Sequence, residues 1–186
     1  IKKNINEIVL RTGTYNKREI VWKNFTKLES YSFSTIFNHD ETDGYRDENE
    51  QQQNNFTSEL RFPGNKGDHF FAINYSEQIM STPSDRSQSQ LFEDRRGSDT
   101  PDDFINSEGS SLFYGRDYKI NDNSTYLLNS SLRLKNSYSD LQSTSYPSYN
   151  NTFLTNYQFN PRINHLHYFF GKSTNSIYGI DIQYAD

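Results

Sequence analysis

Apolar and polar residues alternate through most of this chain in stretches of about ten residues. That is the period-2 signature of strands whose two faces meet unlike surroundings. The alternation is sharpest where Tyr126, Leu128, Leu132 and Leu134 stand against Asn129, Ser131, Arg133 and Lys135. Tyr31, Phe33, Thr35 and Phe37 likewise oppose Ser32, Ser34 and Asn38. About nine strands follow from the pattern, near 6–14, 19–25, 31–38, 55–62, 69–79, 112–120, 126–135, 153–160 and 178–184. In phase within them are Ile8 and Leu10; Phe56, Leu60 and Phe62; Phe71, Ile73, Tyr75 and Ile79; and Leu112, Tyr114, Tyr118 and Ile120. Phe153, Tyr157 and Phe159 continue the series, as do Tyr178, Ile180, Ile182 and Tyr184. No helical period and no internal repeat is visible.

The connections are sorted by length. Short ones lie at Lys27-Leu28-Glu29, at Pro63 to Asp68, at Asn121 to Ser124 and near Gly171-Lys172-Ser173. Long polar ones lie at 40–54, 80–109 and 139–150. Pro63, Gly64 and Gly67 suit a tight turn, because proline presets φ and glycine accepts positive φ. Outer-membrane barrels place tight turns on the periplasmic side and long loops outside. The expectation is therefore an all-β fold, a transmembrane antiparallel β-barrel meander, with all three long loops extracellular. The short first connection, 15–17, is the one exception. Tyr31, Tyr75, Tyr118, Tyr126, Tyr178 and Tyr184 would suit aromatic girdles at the membrane interfaces.

Composition agrees with a wall that is wet on one side. Hydrophobic residues make up 32% of 186 residues and the mean hydropathy is −0.98, thin for a soluble core. Yet the chain carries 14 Tyr and 14 Phe, unlike a disordered one. No apolar run is long enough for a transmembrane helix. Absence of cysteine excludes thiolate metal sites and disulfides. The net charge of −5 argues against general nucleic-acid binding.

Four segments, in order, resemble the barrel of TonB-dependent outer-membrane receptors. Thr42-Asp43-Gly44-Tyr45-Arg46-Asp47-Glu48-Asn49-Glu50 is similar to the family's "DGYRDN" stretch after the third strand. Thr100-Pro101-Asp102-Asp103 resembles its "TPDD" loop, and Asn160-Pro161-Arg162-Ile163 its "sPRl" strand. Tyr178 to Tyr184 resembles its "GxDyxy" strand ending. The resemblance implies a barrel of about 22 strands with a plugged lumen. Residues 1–186 would be the N-terminal part of that barrel domain, with the plug and later strands outside this sequence. It further implies a bacterial outer-membrane location, outer-membrane lipid as surroundings and energy from TonB through the plug. The cargo would be a scarce ligand, most often a ferric siderophore.

Tyr45, Arg46 and Asp47 are candidate ligand contacts; the alternative is a loop-structuring cluster, with Gly44 for the turn and Arg46 paired with a neighbouring carboxylate. Arg95 and Arg96 could attract an anionic ferric chelate or bridge lipopolysaccharide phosphates, or be a plain surface pair. Asp99, Asp102, Asp103 and Glu108 could offer oxygen ligands to a divalent cation; a solvated loop face is the alternative. His165 and His167 share one side of a strand but lack a third metal ligand, which favours a structural or interfacial role. Asn-x-Ser/Thr matches at Asn24, Asn55, Asn123 and Asn129 are expected by chance in so polar a chain. No nucleophile elbow, Walker loop or zinc-helix motif occurs, so neither an enzyme nor a resident cofactor is expected. The rival readings are another outer-membrane barrel, such as a porin or outer-membrane enzyme, and a secreted β-rich binding module.

Overall fold

The computed structural model describes residues 4–83, 85–100, 102–142 and 147–186. One antiparallel sheet holds 72% of them and all of their strands. Its strands are β1 (Ile5–Thr12), β2 (Arg18–Lys27), β3 (Ser32–Thr42), β4 (Gln51–Gly64), β5 (Gly67–Ser81), β6 (Phe104–Asn121), β7 (Ser124–Leu141) and β8 (Ser148–Phe169). Each pairs with its sequence neighbours. Two further segments, β9 (Lys172–Gly179) and β10 (Ile182–Ala185), both pair with β8.

Those two segments are one strand with a missing rung. Gly179 lies opposite Arg162 and Ile182 opposite Phe159, so the register is unbroken between them. The Ile180 N–H donates to the Pro161 carbonyl at 3.1 Å. Pro161 has no N–H to return, which interrupts the ladder at that point. The expected nine strands are thus present.

Residues directly opposite in neighbouring strands share a face. The partners run Ile8, Trp22, Phe37, Phe56, Tyr75 across β1–β5. They run Ile73, Leu112, Leu132, Tyr157, Tyr184 across β5–β8 and β10. All the in-phase apolar sets of the sequence therefore fall on one face. Nothing covers it: Ile8 is 68% exposed and Ile73 51%. Among the described residues only Val21 and Ala72 are buried apolar side chains, so no second layer supplies a core. A two-sheet sandwich is excluded for the described residues.

The other face is polar over most strands. Thr57, Asn74, Ser111 and Arg133 are successive partners, as are Asn55, Ser76, Gly109 and Lys135. Together they line a cleft of about 410 Å³. Ile5, Phe25 and Ile36 form an apolar patch on this same face at β1–β3.

The apolar band has an upper border. His39, Asn54, Glu77, Glu108 and Asn136 are successive partners on the apolar face. His39 Nδ1 lies 2.7 Å from Asn54 Oδ1, and Asn54 Nδ2 donates to Glu77 at 3.2 Å. On β7, apolar residues on this face run from Tyr126 to Leu134, close to the about 9–11 residues a tilted strand needs to cross a bilayer. Beyond the polar row the strands continue only toward the long loops. At the other end they stop at tight turns.

This extension corrects the expected loop limits. The long connections occupy 43–50, 82–103 and 142–147 rather than 40–54, 80–109 and 139–150. Past the polar row the sequence loses its alternation, with Gln51, Gln52 and Gln53 polar on both faces, so these strand residues read as loop. A second correction is helix α1 (Gln88–Glu93), too short to show a period. A third concerns the girdle. Tyr31, Tyr118, Tyr126 and Tyr178 lie toward the short turns, but Tyr75 and Tyr184 sit within the wall opposite Phe56 and Tyr157.

Candidate functional site

The long-loop end is built by four connections, 13–17, 43–50, 82–103 and 142–147. Gly44 turns the second of them at φ +75°, where a Cβ would lie 2.3 Å from the Asn49 carbonyl oxygen. The short first connection props it. Tyr15 O accepts from the Asp43 N–H at 2.9 Å and the Thr42 hydroxyl at 3.1 Å. The Tyr15 ring meets Tyr45 edge-on, 5.7 Å between centroids.

Loop 82–103 is held by its own polar groups. Ser87 caps α1, its Oγ accepting from the Gln90 N–H while the Gln90 side chain accepts from the Ser87 N–H. This reciprocal pair satisfies two orphan donors of the first turn. The half-turn after α1 closes on Asp94, which accepts from the Arg96 N–H at 2.9 Å. That bond first, then the Gly97 N–H and the charges of Arg86 and Arg96, hold the Asp94 carboxyl below its ordinary range against some desolvation. Asp99 pairs with Arg86 at 3.6 Å and accepts from Gln90 at 2.9 Å.

Two contacts lock loops 43–50 and 82–103 together. The Asp47 N–H donates to Arg96 O at 2.7 Å, and Arg46 Nη2 to Gly97 O at 3.0 Å. Asp103 adds the third loop: its carboxylate accepts from the Gln142 N–H at 2.5 Å and its carbonyl from Thr82 at 2.9 Å.

Between the locked loops lies a cleft of about 400 Å³ lined by Tyr45, Arg46, Gln88, Leu91, Phe92 and Arg95. Three of the five residues singled out in the sequence thus come together. Arg96 and Asp47 do not join them; Arg96 turns toward Asp47, 3.9 Å away. Arg95 has no carboxylate within ion-pair distance among the described residues. Leu91 and Phe92 carry no sequence signal of their own, but the Ser87–Gln90 capping pair could have found their helix. Phe92 is 81% exposed, an apolar side chain presented to solvent beside two guanidinium groups. Such a lining suits a flat or aromatic ligand bearing negative charge.

The remaining candidates do not converge. Asp99 and Asp103 are engaged as above, Asp102 is exposed, and Glu108 lies on β6 opposite Glu77. No group of three metal-ligating side chains forms among the described residues. His165 and His167 stack at 5.8 Å on the apolar face, and His165 Nδ1 lies 2.9 Å from Ser124 Oγ. That is a structural role near the short turns. Pro101 of the TPDD-like segment lies outside the described residues.

No family model and no curated protein matches the sequence. Solved structures do match. The ferric citrate transporter FecA, unliganded, superposes with a TM-score of 0.78 at 10% identity, over 98% of this chain and 30% of that one. The fold is that of a section of the barrel wall of TonB-dependent receptors. The ferric-catecholate import receptor Fiu of E. coli K12 matches this receptor-barrel fold in its closed form at 0.74, with 12% identity, over 98% of this chain and 31% of that one. Its open form matches at 0.70, with 13% identity, over 94% and 33%. The chain therefore spans about a third of the length of these receptors.

Proposed function

We propose that this chain is part of an outer-membrane receptor of a Gram-negative bacterium that takes up an anionic ferric complex, most closely a siderophore-type chelate. The observation that carries this reading is the cleft of Tyr45, Arg46 and Arg95 at the long-loop end of a receptor-barrel wall. The FecA and Fiu likeness supports the kind of cargo, since both of those proteins are described as handling ferric complexes. In this reading the apolar face meets lipid, the polar face lines a lumen, and the long loops face outward. Further strands and a plug complete the barrel, and the plug couples it to TonB. Arg95 and Arg46 attract the anion, and Tyr45 and Phe92 offer ring faces.

The test uses the full-length receptor in whole cells, with ferric citrate and a ferric catecholate as probes. A charge-assisted hydrogen bond contributes about 1.5–3 kcal/mol. Arg95→Ala should therefore weaken binding of the transported probe roughly ten- to a hundredfold, with normal surface display. The loss should shrink as salt is added, because the exposed charge of Arg95 also steers the anion to the mouth and that part is screened. Unchanged affinity and uptake of both probes would overturn the assignment of this cleft.

A further inference from the structure

About half of the cations on the strands have a carboxylate partner among the described residues. Two cations without one sit together at the short-turn end, on the apolar face. Arg116 belongs to that face, directly opposite His69 and Leu128. Its guanidinium carbon lies 5.2 Å from the centre of the Tyr118 ring, one step nearer the turns. Lys66, in the β4–β5 turn, places its Nζ 6.0 Å from the same ring. Among the described residues neither has a carboxylate within ion-pair distance. Tyr126 is the strand partner of Tyr118, so a second tyrosine stands beside the one that the two cations cover.

The turn that carries Lys66 is anchored. Lys66 O accepts from the Lys119 N–H at 2.6 Å, and the Asp68 N–H donates to the Asp117 carboxylate. Gly67 allows this close approach, since a Cβ there would lie 2.2 Å from Asp117 O. The pair of cations is thus held by the neighbouring strand and not by a mobile tip. Arg116 also leans away from the apolar band, toward the ring at its border. A long basic side chain at a bilayer edge takes that attitude to keep its charge in the headgroup layer.

We propose that Lys66 and Arg116, over Tyr118, bind the phosphodiester headgroup of an anionic phospholipid in the inner leaflet of the outer membrane. The proposal rests on the membrane reading above. Charge complementarity carries it: two unpaired cations meet one phosphate at the depth where headgroups lie. The acidic row Glu77–Glu108 at the opposite border has the wrong sign for the same role. The site is a lipid anchor, distinct from the cargo cleft at the other end of the wall.

The experiment takes the full-length receptor in detergent micelles doped with phosphatidylglycerol or, separately, phosphatidylcholine. Native mass spectrometry reads bound lipid, and heat-modifiable gel mobility reads the closed barrel. Phosphatidylglycerol should remain bound where phosphatidylcholine is lost. Lys66→Gln with Arg116→Gln should weaken its binding roughly twenty-five-fold, about fivefold for each charge removed near an anionic surface. Arg116→Lys should keep most of it. Equal retention of both lipids, or an undiminished preference in the double variant, would overturn the site. A receptor that showed no heat-modifiable form in either lipid would overturn the membrane reading instead, and the two failures are distinguishable.

Discussion

Replacing Leu132 with arginine is expected to abolish barrel assembly, whereas Arg133→Leu leaves most of it intact. The two positions are adjacent in β7 and lie on opposite faces of the sheet. Leu132 lies opposite Leu112 and Tyr157, in the middle of the apolar band. Arg133 lies opposite Ser111 and Asn156 and lines the polar cleft. A cation on the lipid face at mid-membrane costs about 2–4 kcal/mol, a factor of roughly 30 to 1,000 in the folded population. Arg133 has no carboxylate partner among the described residues, so Arg133→Leu strands no buried charge. The measurement is the fraction of full-length protein that runs as the fast, heat-modifiable form in unboiled samples. Equal tolerance of both substitutions would mean that this face does not sit in a bilayer.

The same chemistry explains which parts of the fold were legible in the sequence. A sheet with one apolar and one polar face imposes a strict rule on every second residue, so Tyr126, Leu128, Leu132 and Leu134 announce both the strand and its facing. Segments polar on both faces carry no such rule. The strand extensions above the polar row, at Gln51 to Asn54 and beyond Asn136, therefore read as loop. Helix α1 is shorter than two turns and has no period; only its cap, Ser87 with Gln90, was written in local chemistry. The cleft was legible in part. Tyr45 and Arg46 stand beside Gly44, whose positive φ fixes their turn. Arg95 and Arg96 looked alike as a pair, and the hydrogen bond from Asp47 to Arg96 O separates their roles. Asp103 stood out in the sequence only as part of the TPDD-like segment and as a possible cation ligand; its role as a lock between loops could not be read locally, because its partners, Thr82 and Gln142, are remote in sequence.

Asp103→Ala should release loop 82–103 without harming the wall. Asp103 is 7% exposed, and its carboxylate is the acceptor for the Gln142 N–H. Removing it breaks a hydrogen bond to a charged acceptor, a loss of about 1.5–3 kcal/mol at most, since water can reach the exposed Gln142. The backbone bonds from Thr82 to Asp103 O and from Asp103 to Thr100 O survive in principle, so the loss concerns loop order and not the strand ladder. Asn at the same position keeps an acceptor oxygen and should restore most of the order. Protease cleavage within 82–103 tracks the open population when opening is fast. Its rate should rise roughly five- to a hundredfold in Asp103→Ala and far less in Asp103→Asn. Heat-modifiable mobility should stay unchanged in both. Because α1 and Arg95 ride on this loop, the Ala variant should also lose affinity for the ferric probe in step with its cleavage rate. Faster cleavage with undiminished affinity would separate the ordering of this loop from ligand capture and leave the cleft to Tyr45 and Arg46 alone.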